Sequence, residues 1–287
     1  MIQQLTIIGV GLIGGSLARA LRVAGAVGEI VGAGRDEAHL QRARELGVID
    51  RYSLDPAAAV RGADMVLLAV PVGAMEVVMR EIAPHLSADA VLTDAGSTKG
   101  SVIEAARRAF GELPASFVPG HPIAGTENSG VEAAFAELYA GRRVILTPTE
   151  ASSPEAVKRV RAMWQTAGAE VTEMDPEHHD RVLAATSHLP HLLAFSLVDT
   201  LAKLDDKQEI FAYAAGGFRD FTRIASSDPQ MWRDICVHNE PALLAMLDRF
   251  EADLKRLREA IASDDGDYLL EVFGRAKAAR DRFCDNE

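Results

Sequence analysis

The sequence predicts a two-domain α/β protein, in which an α/β domain over residues 1–175 is followed by an all-helical domain over residues 176–287. Its length of 287 residues corresponds to about two typical domains. Through the first half, short β-branched runs alternate with amphipathic stretches, which is the pattern of β-α units around a mostly parallel sheet. Beyond about residue 175, apolar residues recur every three or four positions, which indicates helices alone.

The elements of the first half follow in chain order. Residues 5–10 (LTIIGV) form a continuous apolar run, which predicts a central strand. Apolar residues at Ile13, Leu17, Leu21 and Ala24 then predict a helix with one face on the sheet. Further strands are predicted at residues 30–33, 65–70, 91–94, 117–120, 144–148 and 171–174, and further helices at residues 38–46, 74–83, 101–110 and 155–166.

The second half contains at least one long amphipathic helix. Its apolar positions are Leu243, Met246, Phe250, Leu254, Leu257 and Ile261. Earlier, Asp228 and Pro229 predict an N-cap followed by proline at the first helical position. Pro241 is expected to kink or break the long helix that Asp228 and Pro229 open. Because no Gly/Ser-rich linker separates the halves, we expect the two domains to pack together and share a ligand-binding cleft.

Composition and charge exclude several classes of partner. The net charge of −12 repels phosphate backbones, which argues against nucleic acid. No segment has the ~18 uncharged apolar residues that a membrane span requires, so a membrane is not expected either. Cys236 and Cys284 are far apart and belong to no C-x-x-C or His/Cys cluster, which predicts a reducing, cytoplasmic location and no metal site.

A glycine-rich turn follows the first strand. Gly9, Gly11 and Gly14 form a G-x-G-x-x-G string with Leu12 and Ile13 inside it, between a predicted strand and a predicted helix. The first glycine allows the tight turn, the second lets the backbone approach a pyrophosphate, and the third permits close packing of the helix on the strand. The phosphates would lie at the positive end of the helix. This context predicts a Rossmann-type dinucleotide-binding domain.

The end of the second strand bears on the choice of dinucleotide. An NAD site normally places an acidic side chain about 20 residues beyond the glycines, on the adenosine ribose. Here that position is Gly34, and Arg35 follows it, a guanidinium that can bind a 2′-phosphate. The sequence therefore favours NADP+. Asp36 keeps NAD+ open, because it could turn back to the ribose; its alternative role is the N-cap of the next helix.

One loop gathers the residues expected at a reaction site. Residues 120–130 (GHPIAGTENSG) combine glycines with His, Thr, Glu, Asn and Ser after a predicted strand. Within this loop His121 is the candidate general base, because a neutral imidazole can accept a hydroxyl proton as hydride leaves the same carbon. For most of the other histidines a cap or core role is expected, namely His39, His85, His178, His179 and His238.

A second polar loop, residues 94–99, follows another strand of the same sheet. Its side chains should emerge at the carboxyl edge, where ligands bind in such folds. Ser97 could meet a substrate hydroxyl there; the competing role is the N-cap of the next helix. Lys99 is expected to be a solvated first-turn residue, with an added positive potential near an anionic substrate as the second possibility.

In the helical half, polar groups concentrate in SHLPH at residues 187–191 and in RDFTR at residues 219–223. Arg223 is the candidate carboxylate clamp, because a guanidinium pairs bidentately with a carboxylate and an acidic protein needs such a countercharge for an acidic substrate. The alternative is a structural pair with Asp220, three residues earlier on the same helical face. The spacing alone leaves both roles open.

Taken together, these motifs resemble the prephenate/arogenate dehydrogenase family of tyrosine biosynthesis. The resemblance covers nearly the whole chain, through GVGLIGGSLA, DAGSTKG, GHPIAGTENSG, SHLPH and FRDFTRIASSDPQMW. It implies a homodimer that oxidatively decarboxylates prephenate, arogenate or both with NAD+ or NADP+. The Gly34-Arg35 pair departs from family members that carry an acidic residue there, which supports the preference for NADP+.

The resemblance also implies roles for individual residues. His121 takes the position of the catalytic histidine, Ser97 that of the serine contacting the substrate hydroxyl and the nicotinamide, and Arg223 that of the arginine binding the ring carboxylate. Further positions match a second substrate-binding histidine and pocket or gating residues, namely His191, Thr126, Glu127, Arg219, Asp220 and Trp232.

Two other functions are compatible with a nucleotide-binding domain followed by helices. A β-hydroxyacid dehydrogenase shares that architecture but typically uses a lysine base in its second domain, whereas the stronger candidate here is the His121 loop. A non-catalytic dimer that senses NADP would have no need of His121 or Arg223 near the nicotinamide. The sequence therefore favours the dehydrogenase of the tyrosine pathway.

Overall fold

The structure is a computed structural model that describes residues 1–126 and 128–283. Glu127, to which the resemblance assigns a pocket role, and Cys284 lie outside the described residues. The chain forms two compact units, Met1–Glu240 and Pro241–Glu287. The helices up to residue 240 therefore belong to the same unit as the β-strands, and the domain boundary after residue 175 stays a prediction.

A six-stranded parallel sheet forms the centre of the first unit. Its strands are β1 (Ile2–Ile8), β2 (Val27–Ala33), β3 (Arg51–Ser53), β4 (Met65–Leu68), β5 (Val91–Asp94) and β6 (Phe117–Val118). The strand order is β3-β2-β1-β4-β5-β6. This is the order typical of dinucleotide-binding sheets, in which the strands are added on one side of β1 and then, from β4 onwards, on its other side. The short strand β3 lies at one edge and is not predicted by its polar three-residue sequence, RYS.

Both faces of this sheet are buried, which explains the continuous apolar runs of its strands. Along β4, Met65 and Leu67 join the core on one face, while Val66 and Leu68 join the core on the other. Successive side chains of a strand point to opposite faces, so a strand covered on both sides must be apolar throughout. The predicted parallel α/β architecture is confirmed.

Helices cover the sheet between its strands. They are α1 (Leu12–Val23), α2 (Glu37–Glu45), α3 (Pro56–Ala59), α4 (Met75–Ile82), α5 (Gly100–Phe110) and α6 (Pro154–Thr166). Side-chain caps explain where several of these helices begin. Asp36 caps α2 by accepting a hydrogen bond from the backbone N–H of His39. Ser153 caps α6 by accepting one from the backbone N–H of Ala156, and Pro154 occupies the first position of that helix. The single-turn helix α3, begun by Asp55 and Pro56, is too short for its periodicity to be read from sequence.

A second, three-stranded sheet corrects one prediction. Its strands are β7 (Gly120–Pro122), β8 (Arg143–Leu146) and β9 (Glu170–Glu173), with β7 antiparallel to β8 and β8 parallel to β9. The strand predicted at residues 117–120 is in fact two strands separated by Pro119: Phe117 and Val118 pair with β5, and the chain then crosses to β8. His121, expected in a loop, therefore lies in β7 opposite Ile145.

The remaining helices are α7 (Pro176–Leu183), α8 (Leu189–Ala202), α9 (Lys207–Ala212), α10 (Gly216–Thr222), α11 (Pro229–His238), α12 (Glu240–Ala262) and α13 (Gly266–Phe283). A π-helical turn, Ala184–His188, joins α7 to α8. The Asp228 side chain caps α11 at the backbone N–H of Met231, 2.7 Å away. The helix breaks at Asn239, two residues before Pro241, which lies in the first turn of α12. Both features match the predictions made from these prolines.

The stretch Pro176–Ala202 is apolar for a surface helix. Its 27 residues, with a mean hydropathy of 1.2 in one window, are enough by length and composition to cross a membrane, a test that core helices of other proteins also pass. Here it carries His179, Asp180 and His188, all buried and hydrogen-bonded to other segments of the chain. Only 28% of the window is fully buried, and Leu197, 36% exposed, is the large apolar side chain of this stretch that is exposed in a single chain.

Candidate active site

The glycine turn connects β1 to α1, and its three glycines have different surroundings. Gly9 has φ +99°, and a Cβ there would lie 2.4 Å from the carbonyl oxygen of Ala69. A Cβ on Gly14 would lie 2.4 Å from the carbonyl oxygen of Gly9. At Gly11 a Cβ would meet nothing within 4 Å. The first and third glycines are thus required by packing, whereas the second leaves the backbone open to a ligand.

The N-terminus of α1 suits an anion. No acidic residue lies in the first turn, and no side chain caps the helix at Gly11. Leu12 is buried in the core, and the backbone oxygen of Ile13 accepts a hydrogen bond of 2.6 Å from the Tyr139 hydroxyl, so the turn is fixed from behind. Helix N-termini with open N–H groups bind phosphates. The residues present therefore fit the pyrophosphate of a dinucleotide.

At the end of β2, the structure assigns Asp36 one of its two predicted roles. The carboxylate of Asp36 caps α2 by accepting a 3.1 Å hydrogen bond from the backbone of His39. Gly34 directly follows the last residue of β2, and the Arg35 side chain is exposed beside it. His39 has the structural role that its sequence predicts, because its Nε2 donates to the carbonyl oxygen of Val10 at 2.8 Å.

His121 lies in a row of buried side chains. Its Nδ1 is 2.9 Å from Nε2 of His179, and Nδ1 of His179 is 2.8 Å from Oδ1 of Asp180. His121 is 8% exposed and His179 fully buried. The expectation that His179 is merely a cap or core residue is wrong in one respect, because this histidine bonds the candidate base directly. Helix α7 brings it to β7 across 58 residues of sequence.

The Asp180 carboxylate also caps α5. It accepts hydrogen bonds of 2.8 Å from the backbone N–H groups of Lys99 and Gly100. The N-cap position of α5 is Lys99, so the alternative role of Ser97 as that cap is wrong. Ser97 instead lies part-buried in the loop between β5 and α5, where the prediction of a substrate contact stays open.

Lys99 corrects another expectation. Predicted to be solvated, its side chain is fully buried and forms an ion pair with Asp94 at the end of β5. Its Nζ also donates to the carbonyl oxygen of Gly120 at 2.6 Å, and Oδ1 of Asp94 accepts from the backbone N–H of Gly120 at 3.1 Å. The loop that carries Ser97 is therefore bonded to the residue immediately before His121.

These surroundings keep His121 neutral. Burial lowers the pKa of His121 well below its ordinary value of 6.5, and electrostatic interactions with His179, Lys99 and His188 lower it further. Burial likewise lowers the pKa of Lys99, against the attraction of Asp94. A neutral imidazole at physiological pH is the form in which a histidine accepts a proton.

A second group of side chains lies on α8 and α11. The ring of His191 stacks on that of Trp232 with 3.6 Å between centroids, and Nδ1 of His191 donates to the carbonyl oxygen of Ser187 at 2.8 Å. Burial lowers the pKa of His191, the Ser187 bond opposes this shift, and the charge of Arg223 adds to it. Arg223 begins a 3-10 turn, Arg223–Ser226, that packs against α8, the helix of His191. Three of the predicted substrate-binding residues are thus brought together.

His188 connects the two groups. It is buried at the end of the π-helical turn, and its Nδ1 accepts a hydrogen bond of 2.9 Å from Nδ2 of Asn239, which also donates to the carbonyl oxygen of Asp180 at 2.9 Å. Burial lowers the pKa of His188 to about 4. π-Helical turns often occur at functional sites.

The other predicted residues are less closely connected to this site. Thr126 lines a cleft of about 440 Å³ whose lining residues do not include His121, His191 or Arg223. Arg219 and Asp220 are exposed on α10, which packs against α8. Within residues 1–126 and 128–283, no group of three His, Cys, Asp or Glu side chains could hold a metal ion.

Sequence reasoning missed four buried residues of the site: Lys99, His179, Asp180 and His188. One weak signal was available. His179 and Leu183 are four residues apart on the buried face of α7, so a polar side chain occupies a core-facing position there. Their partners are far away in sequence, and for that reason no local pattern could identify them.

Two family profiles together match most of the chain. The profile described as "Prephenate dehydrogenase, nucleotide-binding domain" matches residues 17–173, and "Prephenate dehydrogenase, dimerization domain" matches residues 175–275. The chain belongs to the prephenate dehydrogenase family. Family membership decides against the β-hydroxyacid dehydrogenase alternative. The dimerization-domain match confirms a second copy of the chain as the predicted partner.

Relatives in the family span most of the chain. The chain is 46% identical to the cyclohexadienyl dehydrogenase of Zymomonas mobilis over 281 residues, which cover 97% of this chain and 95% of that one. It is 36% identical to the prephenate dehydrogenase of Bacillus subtilis, over 98% of this chain and 76% of the relative.

Solved structures in the family have the same fold. The prephenate dehydrogenase of Aquifex aeolicus in complex with hydroxyphenyl propionate and NAD+ superposes with a TM-score of 0.90 at 39% identity, covering 98% of each chain. The Synechocystis arogenate dehydrogenase superposes with a TM-score of 0.80 at 28% identity, covering 98% of this chain and 100% of that one. The predicted nucleotide-binding fold followed by helices is confirmed in this prephenate dehydrogenase family member.

Proposed function

We propose that this protein catalyses the oxidative decarboxylation of prephenate, arogenate or both in tyrosine biosynthesis, with a nicotinamide dinucleotide as hydride acceptor. The observation that carries the proposal is His121, a buried neutral histidine in β7 whose preceding residue, Gly120, is bonded to the loop after β5. The loop follows β5 of the six-stranded sheet, and β7 contacts β5 in this member of the prephenate dehydrogenase family.

The dinucleotide site is assigned to the β1–α1 turn and to the end of β2. Gly9 and Gly14 fix the turn, Gly11 lets the backbone approach the pyrophosphate, and Leu12 and Ile13 begin the helix whose positive end faces it. When bound, the oxidised nicotinamide accepts the hydride that leaves the ring carbon carrying the hydroxyl group. The neighbour from Aquifex aeolicus, solved with NAD+, supports this class of cofactor.

Within that class we propose a preference for NADP+ over NAD+. Oδ1 of Asp36 is engaged as the cap of α2, which leaves one carboxylate oxygen for a ribose hydroxyl group, whereas the exposed guanidinium of Arg35 is available to a 2′-phosphate next to Gly34. We also assign the protein to the cytoplasm, because its two cysteines are widely separated in sequence, which fits a reducing compartment.

The protein's own contribution is to orient the substrate and to move one proton. His121 accepts the hydroxyl proton as hydride departs, and the C–C bond to the ring carboxylate breaks to release carbon dioxide. The electron pair of that bond enters the ring, and the ring oxygen takes a proton back to give a phenol. Aromatisation makes the step favourable. Positioning and a base of suitable pKa supply the rate enhancement.

The substrate contacts stay proposals. Ser97 is assigned to the reacting hydroxyl group and Arg223 to the ring carboxylate, with His191 and its stacking partner Trp232 beside Arg223. By the family resemblance, substrate entry or side-chain contacts are assigned to Thr126, Glu127, Arg219 and Asp220.

The test is an initial-rate assay with prephenate and arogenate, each with NAD+ and NADP+. We expect the wild-type protein to form reduced nicotinamide, faster with NADP+. The His121→Asn variant should keep its affinity for the dinucleotide and lose turnover by ~10²-fold or more, the scale of general base catalysis. His178→Asn, at an exposed position of α7, serves as the matched control. No product in any of the four combinations would reject the proposal.

A further inference from the structure

The row of side chains behind His121 begins with a carboxylate at the end of a helix. Burial by itself would raise the pKa of Asp180, but hydrogen bonds from His179 and from the backbone N–H groups of Lys99 and Gly100 lower it. Those N–H groups lie at the N-terminus of α5, an 11-residue helix whose positive end favours a negative charge. Asp180 is therefore ionised and accepts hydrogen bonds only.

The charge of Asp180 decides where the proton on His179 lies. Oδ1 of Asp180 is 2.8 Å from Nδ1 of His179, so Nδ1 must carry the proton and donate it. Burial lowers the pKa of His179, although Asp180 opposes the shift, and the ring is therefore neutral near pH 7. A neutral imidazole with a proton on Nδ1 has an unprotonated Nε2.

The unprotonated Nε2 of His179 in turn decides the state of His121. It is 2.9 Å from Nδ1 of His121, and two unprotonated nitrogens at that separation would leave both lone pairs without a donor in a buried site. Nδ1 of His121 therefore carries the proton. Because His121 is neutral, its Nε2 is left unprotonated.

We propose that Asp180 and His179 are positioning residues that fix His121 in the Nδ1–H tautomer, so that Nε2 is the atom that accepts the substrate proton. The opposite arrangement would have His179 donate from Nε2 and would place its bare Nδ1 against the Asp180 carboxylate, a contact between two acceptors. When His121 takes up a proton, the positive charge on its ring is linked through His179 to a carboxylate, which stabilises the charged form.

The tautomer follows from the hydrogen-bond geometry and the burial of these three side chains, while its catalytic consequence rests on the proposed function. The two are therefore tested separately. Ring-nitrogen NMR of full-length protein labelled with ¹⁵N-histidine reports which nitrogen of each imidazole carries a proton, and the signals of His121 are identified by their loss in His121→Asn. In the wild-type protein we expect a proton on Nδ1 and none on Nε2 of His121. A proton on Nε2 overturns the proposal, whether or not the protein turns over prephenate.

Two variants at one position separate the acceptor role from a structural role. His179→Leu removes the acceptor, so we expect the His121 proton to distribute between both ring nitrogens and turnover to fall roughly 10- to 100-fold, part of what a general base supplies. His179→Gln keeps an acceptor oxygen that can replace Nε2, so it should restore the Nδ1–H signal and most of the turnover, with the KM for the dinucleotide unchanged in both.

Each remaining outcome also decides the matter. Equal loss of turnover in the Leu and Gln variants, with the wild-type tautomer retained in both, shows that His179 acts only by packing and overturns the proposal. If His179→Leu does not fold, the wild-type spectrum and the Gln variant still decide it. A wild-type protein that shows the expected tautomer but no turnover on prephenate or arogenate contradicts the proposed function and leaves the tautomer assignment intact.

Discussion

His188 shows how one buried residue makes stability depend on pH. Its pKa is about 4 in the folded protein and near 6.5 when the chain is unfolded, because burial disfavours the charged imidazole. Between these values the unfolded chain binds more protons than the folded one, so the free energy of unfolding rises with pH. The contribution is fully present above pH 6.5 and is lost as the pH falls towards 4. The lowered pKa values of His121 and His179 act in the same direction.

We therefore expect the melting temperature of the wild-type protein to fall steeply between about pH 6.5 and pH 4, since each unit of pKa displacement is worth about 1.4 kcal/mol. His188→Gln removes the imidazole and should reduce the slope of melting temperature against pH in this interval. His238→Gln, at an exposed position of α11, is the control and should keep the wild-type slope. Identical slopes in all three proteins would show that His188 does not set the pH limit.

At the scale of elements, the buried pair of Lys99 and Asp94 joins β5, α5 and β7. Asp94 accepts from the backbone N–H groups of Gly96 and Gly120, and Lys99 donates to the carbonyl oxygen of Gly120. Both side chains are fully buried. Breaking a buried pair leaves an unpaired charge in a medium of low dielectric constant, which costs far more than losing a surface pair.

Replacing one partner of this pair should therefore be more costly than replacing both. We expect Lys99→Met to lower the free energy of unfolding by about 3–5 kcal/mol, and the double variant Lys99→Met/Asp94→Asn to regain part of the loss. The control is Arg107→Met, which breaks an exposed pair with Glu104 on the same helix and should cost ~1 kcal/mol or less. Urea unfolding measures all three. A loss in Lys99→Met no larger than in the control contradicts the buried-pair argument.

At the scale of the whole molecule, the helical half exposes an unusual amount of apolar surface. Of the periodic apolar residues on α12, only Leu243 is buried, and Leu254 is 52% exposed. Helix α13 has no buried residue among those described. These helices fall largely in the segment that matches the family's dimerization domain. The apolar stripe that predicts α12 from sequence is therefore not explained by the core of a single chain, and a partner that covers it accounts for the pattern.

We expect the protein to sediment as a dimer of two 30.8 kDa chains. Leu254→Glu places a charge on the apolar stripe and should raise the dimer dissociation constant by about 10-fold or more, the effect of ~1.4 kcal/mol. Val77→Glu makes the same change at a position that is 67% exposed on α4, outside the matched dimerization domain, and should leave the dimer unchanged. Equal dissociation constants for the two variants would exclude the α12 stripe from the interface.

The sequence by itself determined the parts of this protein that depend on neighbouring residues. The strand of residues 65–70, the caps at Asp36 and Asp228, and the turn at Gly9 to Gly14 all appear close to their predicted places. Periodicity, capping and turn geometry are set by side chains within a few positions of each other, so a linear reading can recover them. His121 became the candidate base for the same reason, through the composition of the segment that contains it.

Only the tertiary structure decided the roles of Lys99, His179 and Asp180. The contact between His121 and His179 spans 58 residues, and the cap that Asp180 provides for α5 spans 81. Whether a charged or titratable side chain is solvated or buried against a partner depends on which distant segments fold onto it. The protonation states of His121 and His179 are set by those long-range contacts, because burial and hydrogen bonding, and not residue type, determine where each proton lies.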